Sequence, residues 1–436
     1  MQILVLGAGR SAGWLIDYLA NYCDAKRLDL VVVDKDFTGL WSAFDKKSNC
    51  KYLLGDVSNI EFLKENISKS TVVVSLLPPF MHVQVAKLCI ELKTNLVTAS
   101  YTSPEMKELH NEALNAGIVL LNEMGLDPGI DHISASLLLR NLQNKKAKVN
   151  SFESYCGGLI SQDDCHGNPW EYKFTWNPRN VVLAGQGGES VWRKNGDRHE
   201  VEPEELFNHA INLDIPGVGT FDAYPNRDSL GYEKAYLLED SDTIIRGTLR
   251  RSGFCEAWQV LVDAGFTDNA EPLPKELKSV KSWFEYKTGF SKVGDWMNSL
   301  NLNENTAQKM AFLDFDGSME IPESCKTSAD VLEQILLSKW KLEPSDKDEI
   351  VMYHRIGFTE NSVSKVSHSV LVVLGDGGGR TAMAKTVGYP LAIGVELILE
   401  GIIDNKGVAI PIYQSWNQIL MQKLEDLGIV FRDFVE

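Results

Sequence analysis

A chain of 436 residues is too long for one simple hydrophobic core, so about two or three domains are expected. Apolar residues at 44% and charged residues at 24% are ordinary for a globular chain. The net charge of −17 disfavours nonspecific binding to a polyanion such as nucleic acid. The most apolar late stretch, 390–403, carries Glu396 and Glu400 and is too short and too charged to span a bilayer, so no membrane partner is expected. Seven cysteines with no CxxC spacing fit reduced thiols in a cytoplasmic setting and no metal site. A secretory leader is not expected, because the first strand begins at residue 2.

Apolar runs at 2–6 and 30–33 flank Gly7-Ala8-Gly9-Arg10-Ser11-Ala12-Gly13 and a helical stretch over 12–22. Strand, glycine turn, helix, strand and closing acid make the dinucleotide-binding fingerprint. Gly7 permits the tight turn, and Gly9 lets a pyrophosphate approach the backbone. Ala12 stands where a third glycine is usual. Arg10, Ser11 and Ala12 would face the pyrophosphate at the helix N-terminus. Asp34 would accept from the adenosine ribose, which favours NAD over NADP, while Lys35 and Arg10 are cations that could partly offset that preference.

Further strands are predicted at 52–54, 71–77, 96–99 and 117–121, with helices at 59–66, 80–92 and 104–115. This alternation means an α/β fold, a doubly wound parallel sheet with helices on both faces. Asp56 and Val57 would flank the adenine, and Leu76 and Leu77 would line the next strand end.

After Asp131 the rhythm changes. One helix is predicted over 132–144, then longer, more mixed strands at 149–157, 219–224 and 243–251. A polar stretch from 266 to 345 with three tryptophans reads as a helical insertion. Strands resume at 348–356 and 366–374, followed by helices at 381–403 and 417–428. The expected organisation is a Rossmann domain at 1–128 with 390–436 packing back on it. An α+β substrate domain would be formed by 129–265 and 346–389, and 266–345 would be the insertion. The exposed face of 390–403 could serve a homodimer contact or pack intramolecularly.

Leu374-Gly375-Asp376-Gly377-Gly378-Gly379-Arg380 looks like a second phosphate loop but lacks the Gly-Lys-Ser/Thr ending, so a sheet-to-helix turn is expected. His132, His166 and His354 are each conceivable bases, and each is more simply a satisfied structural residue.

Several ordered motifs carry a resemblance: Ala99-Ser100-Tyr101-Thr102-Ser103-Pro104; Asn122 to His132, with Gly125-Leu126-Asp127-Pro128-Gly129 at its centre; Ser154 to Leu159; Tyr172 to Arg179; Asn226-Arg227-Asp228-Ser229; and Arg246-Gly247-Thr248-Leu249-Arg250. Together they resemble the glutamate-forming saccharopine dehydrogenases. The resemblance implies reversible, nicotinamide-dependent oxidation of saccharopine to glutamate and 2-aminoadipate 6-semialdehyde in lysine metabolism. A related imine-reducing dehydrogenase, such as carboxynorspermidine dehydrogenase, and a cofactor-binding protein without turnover are the alternatives.

The resemblance implies substrate contacts from Ser100, Tyr101, Asp127, Arg227, Thr248, Leu249 and Arg250. It also implies cofactor contacts from Ala99, Leu126, Pro128 and Trp176. Asp127, Tyr101 and Cys156 are the candidates for proton handling. Each has a plainer alternative. Asp127 could cap the helix starting near Gly129. Ser100 and Tyr101 could form a surface turn. Arg227 and Arg250 could sit in salt bridges, and Cys156 and Trp176 could be core residues.

Overall fold

The computed structural model describes residues 1–186 and 188–436. The chain divides into two compact units, residues 1–148 with 371–431 and residues 149–370 with 432–436.

In the first unit, β1 (Gln2–Leu6), β2 (Asp29–Asp34), β3 (Cys50–Leu54), β4 (Val72–Ser75), β5 (Asn95–Thr98) and β6 (Val119–Leu121) form one parallel sheet. The late strand Gly407–Ala409 adds beyond β6, giving the order Gly407–Ala409, β6, β5, β4, β1, β2, β3. Order reverses at β1, so the crevice for a dinucleotide opens at the carboxyl ends of β1 and β4. Leu6 aligns with Ser75, Ser75 with Thr98, and Val97 with Leu121, so the carboxyl ends of four strands lie level. The β-branched runs of β1, β2 and β4 are buried on both faces, as a helix-covered parallel sheet requires.

The helix Ala12–Lys26 packs along the apolar helix Ala382–Leu399. Gly388 makes this approach possible, because a Cβ there would lie 2.8 Å from the Leu15 backbone nitrogen. Glu396 is buried in the same helix and is satisfied by the Tyr18 hydroxyl at 2.5 Å and Lys423 at 3.0 Å. Lys423 belongs to the helix Gln414–Asp426, so one buried acid ties three helices together. The helix Ala382–Leu399 is long and apolar enough to cross a membrane, yet most of it is buried within this unit.

The second unit is built on a nine-stranded mixed sheet. Its strands are β7 (Lys148–Ile160), β8 (Ser190–Lys194), β9 (Asp197–Val201), β10 (Ile211–Ile215), β11 (Gly219–Pro225), β12 (Thr243–Arg251), β13 (Asp348–Glu360), β14 (Val363–Leu374) and Phe431–Val435. The path runs β10, β11, β12, β7, β13, β14 and Phe431–Val435, with β8 pairing both β12 and β9. β12 is antiparallel to β11 and parallel to β7.

The domain boundaries differ from those expected. The first unit extends past 128 to include the helix Ile130–Asn144, and the chain returns to it at 371, not 390. Residues 432–436 join the second unit's sheet. Nor is 266–345 a body of its own. Trp283, Trp296 and Trp340 share a core with Trp170, Phe254 and Trp258. The polarity of the stretch reflects outward helix faces, while its aromatics point inward. The helix expected over 104–115 is two, Pro104–Glu108 and His110–Ala116. The one expected over 381–403 ends at Leu399, and its 390–398 portion is buried, which leaves no open face there for a dimer contact.

Gly388→Ala should destabilise the protein by about 1–3 kcal/mol, because the added methyl meets backbone that cannot step aside. The urea midpoint would show it, and an unchanged midpoint would contradict this packing.

Candidate active site

The glycine turn is built to receive an anion. Gly7 adopts φ +99°, and a side chain there would press on the Leu76 backbone at 3.1 Å. Nothing lies within 4 Å of the position a Gly9 Cβ would take, so the backbone is open to an incoming group. Ser11, at the N-cap of the helix Ala12–Lys26, makes no side-chain cap bond, and the first turn holds no acid. Unsatisfied N–H groups and the helix dipole therefore suit a pyrophosphate.

Asp34 closes β2, as the fingerprint requires. Its Oδ2 accepts from the Ala8 N–H at 2.5 Å and its Oδ1 from the Asp36 N–H at 3.1 Å. The carboxylate thus braces the glycine turn from within. Lys35, the next residue, and Arg10, in the glycine turn, are exposed. Asp56 accepts from the Ser58 N–H at 2.9 Å, and the hydrogen bonds from the Ser58 backbone and side chain hold it below the usual carboxylate range. Val57, Leu76 and Leu77 are half-buried at neighbouring strand ends.

At the carboxyl ends of β5 and β6 two loops are laced together. Glu123 N–H donates to the Ser100 carbonyl at 3.2 Å, and Met124 N–H to the Thr98 carbonyl at 3.1 Å. A Cβ on Gly125 would touch Ala99 at 3.0 Å. The Asp127–Pro128 peptide bond is cis, and Gly129 has φ +148° with no room for a side chain. Leu126 and Pro128 are buried in this turn. The result is that the Tyr101 hydroxyl donates to Asp127 Oδ1 at 2.8 Å.

Asp127 does not cap the following helix. Gly129 is the N-cap, and Asp131 Oδ1 accepts the Gly129 N–H at 2.6 Å. The plainer alternative for Asp127 therefore fails.

Two further groups at this edge went unassigned in the sequence. His82, in the first turn of the helix Pro79–Glu91, is 4% exposed. Its Nδ1 meets Ser75 Oγ at 2.9 Å, and its Nε2 meets Ser100 Oγ at 2.8 Å and Thr98 Oγ1 at 3.2 Å. Burial pushes it down to about 4, so the ring is neutral at neutral pH. Glu123, 2% exposed, accepts from the Thr102 hydroxyl at 2.6 Å and its N–H at 2.9 Å, and lies 2.7 Å from His132 Nε2. Burial alone would raise its pKa, but the bonds and charge of His132 and the bonds from Thr102 hold it at about 2. No spacing or composition signal marks either residue, because their partners come from other strand ends.

In the second unit, Thr248 on β12 sits beside Cys156 on β7, and both lie near Arg250 along the same stretch. Arg250 is 3% exposed, with its guanidinium over Tyr172 at 5.2 Å, Phe254 at 5.4 Å and Tyr224 at 5.8 Å. No carboxylate of the described residues pairs with it, and its Nε is unbonded. The salt-bridge alternative for Arg250 is therefore absent. Trp176, half-buried, donates through Nε1 to the Tyr172 hydroxyl at 3.3 Å. Leu249 is fully buried against Gly157. Arg227 is exposed in a left-handed turn after β11. Arg246 lies over Tyr232 at 4.4 Å. Arg251 is taken up by Glu349 at 2.6 Å.

His166 and His354, the other two histidines weighed as bases with His132, each meet neighbours in the second unit. His166 lies 3.0 Å from Asp346 and near Asp164, a grouping that could hold a cation. Asp346, however, already accepts from Lys173 at 2.6 Å and from the Glu343 N–H at 2.7 Å. His354 is buried against Phe152. The glycine loop 374–380 is a turn, in which Arg380 packs its guanidinium over Phe44 at 4.7 Å and Trp14 at 5.3 Å.

A Rossmann sheet with an open glycine turn, joined to a mixed-sheet unit, defines a dinucleotide-binding oxidoreductase. Residues 3–121 match the saccharopine dehydrogenase NADP binding domain, and residues 125–429 match the saccharopine dehydrogenase C-terminal domain. The chain is 33% identical to saccharopine dehydrogenase [NADP(+), L-glutamate-forming] of Saccharomyces cerevisiae, over 99% of this chain and 98% of the yeast one. The apo structure of that yeast enzyme superposes with a TM-score of 0.89, at 32% identity, covering 100% of this chain and 99% of that one. An alpha-aminoadipic semialdehyde synthase of Arabidopsis thaliana is 34% identical over 97% of this chain but only 45% of its own length. The chain thus spans about half of that relative and nearly all of the yeast one. Homospermidine synthase of Legionella pneumophila shares the fold at a TM-score of 0.58 and 9% identity. The chain belongs to the saccharopine dehydrogenase family. The NAD preference drawn from Asp34 finds no support in the matched NADP binding domain or in the yeast relative, whose names specify NADP.

His82 binds fewer protons folded than unfolded between about pH 4 and its ordinary value of about 6.5. Its contribution to stability is whole above about 6.5 and is lost as pH falls towards about 4. His82→Gln should flatten the fall in urea midpoint across that window. An unaltered slope would show that burial does not keep the ring neutral.

Proposed function

We propose that this protein interconverts saccharopine with L-glutamate and 2-aminoadipate 6-semialdehyde. The observation that carries this reading is Arg250, a buried guanidinium with aromatic walls and no acidic partner among the described residues. An unpaired buried cation is costly unless an anion arrives. Saccharopine brings three carboxylates, and a planar guanidinium fork suits one of them. A polyamine substrate, as the homospermidine synthase fold-mate would suggest, is cationic and would be repelled. The yeast relative's printed activity supports the same reading.

A bound nicotinamide dinucleotide supplies the hydride acceptor. The chain's own residues then have distinct tasks. Asp127 takes the proton of the secondary ammonium, and the Tyr101 hydroxyl, donating to Asp127, steadies the charge it bears. Hydride leaves the carbon beside the nitrogen, giving an imine. Water adds to the imine carbon, the C–N bond breaks, and the nitrogen leaves as the amine of glutamate. Ser100, with its hydroxyl fixed by His82, is the further substrate-binding candidate of the first unit, and the resemblance implies Arg227, Thr248, Leu249 and Arg250 as those of the second. Cys156, beside Thr248, is the third candidate for proton transfer. Holding the amine carbon in line supplies much of the rate.

NADP is the cofactor this reading favours. Asp34 is engaged with Ala8 and Asp36, and Lys35 and Arg10 stand exposed as partners for a 2′-phosphate.

Purified protein with saccharopine and either cofactor should reduce nicotinamide with stoichiometric glutamate. Tight cofactor binding without turnover would discard saccharopine. Catalytic efficiency with NADP should exceed that with NAD. A tenfold preference for NAD would overturn the cofactor assignment. Arg250→Met should raise KM for saccharopine about tenfold to a hundredfold, the loss of one charged hydrogen bond worth roughly 1.5–3 kcal/mol. Its Tm should hold or rise, since an unpaired buried cation is removed. An unchanged KM would exclude Arg250 from the substrate site.

A further inference from the structure

Tyr101 and Asp127 come from different loops, and neither loop holds its shape through regular structure. Main-chain bonds lace the two loops, and a buried chain of side chains holds them further. Thr102, next to Tyr101, donates twice to Glu123 at 2.6 and 2.9 Å. Glu123 Oε2 lies 2.7 Å from His132 Nε2, and His132 Nδ1 lies 3.8 Å from Asp131 Oδ2. Asp131 Oδ1 takes the Gly129 N–H at 2.6 Å, two residues after Asp127. Glu123, Asp131 and His132 are all at most 2% exposed. Glu123 also holds φ +59°, a region that L side chains rarely adopt. Three ionisable groups buried together cost more than apolar residues of the same shape would. A backbone strained to aim one of them adds to that cost. Such an arrangement is retained where a fixed geometry is needed.

We propose that Glu123 and His132, with Asp131 behind them, are positioning residues that set the Tyr101–Asp127 contact, and so govern the chemical step and not substrate affinity. The proposal rests on the reaction assigned above, in which that pair handles the amine proton. Thr102 and Asp131 are among the groups that face Glu123 and His132. None of the three ionisable groups is solvent-exposed, so none is placed to exchange protons with substrate directly.

The test compares the intact protein with Glu123→Gln and with Thr102→Val, which removes only the hydroxyl donor. Glu123→Gln should lower kcat about a hundredfold, the scale of a 1 Å misplacement, while KM for saccharopine changes less than about threefold. Thr102→Val should lower kcat about tenfold with KM unchanged. A readout independent of turnover is the phenol ionisation of Tyr101, taken from ultraviolet difference spectra against Tyr101→Phe. The Asp127 carboxylate bonded to this phenol should influence that titration, and both clamp variants should shift it relative to the parent. Folded variants with kcat within twofold of the parent, or with KM raised and kcat kept, would overturn the proposal. So would a Tyr101 titration that does not move. If Glu123→Gln fails to fold, Thr102→Val decides. If the parent does not turn over saccharopine, the assigned reaction fails, and the Tyr101 titration still decides the clamp.

Discussion

The level carboxyl edge of the parallel sheet is the constraint on which the first unit depends. Because β1, β4, β5 and β6 pair in parallel and in step, their loops leave at one height. Ser75, Thr98, Ser100, Tyr101, Glu123 and Asp127 are spread over fifty residues of sequence but issue from that one edge. Main-chain bonds between the loops after β5 and β6 draw them closer still. Each interaction at the candidate site, from the His82 bridge to the Tyr101–Asp127 pair, presupposes this register. A slip of one residue would turn the strand residues Ser75 and Thr98 to the opposite face and displace the loops that follow.

The same edge shows two uses of buried polarity. His82 is neutral and surrounded by three hydroxyls, so it spends no charge and fixes the direction of Ser100. Glu123 keeps its charge, because His132 and Thr102 repay what burial costs it. Elsewhere in the unit Glu396 follows the second pattern and knits three helices around the sheet. Buried acids here are joints between elements that apolar packing alone would leave free to slide.

The second unit treats charge in the opposite way. Arg251 is matched by Glu349, whereas Arg250, its immediate neighbour, faces three aromatic rings and no acid among the described residues. Neighbours on a strand point to opposite faces, so one guanidinium serves the fold while the other meets aromatic walls. The aromatic core that extends through 266–345 supports those walls, since Tyr172 and Phe254 both pack on Trp340.

The amino-acid sequence by itself determined what depends on neighbours along the chain. The glycine turn, its helix and Asp34 follow from local sterics and spacing, and β12 runs over 243–251 as its alternation predicted. The family motifs pointed to Asp127, Tyr101 and Arg250. Short strands such as β8, β9 and Gly407–Ala409 were not legible, because a few residues with little alternation become strand only when a partner supplies the ladder. The extent of each unit was likewise illegible, since it is settled by which distant aromatics share a core. His82 and Glu123 carry no local signal at all. Only the tertiary structure could decide that Asp34 braces the glycine turn, that Asp127 is no helix cap, and that Arg250 has no acidic partner among the described residues. Each of these is a fact about groups far apart in sequence, and burial sets its energy.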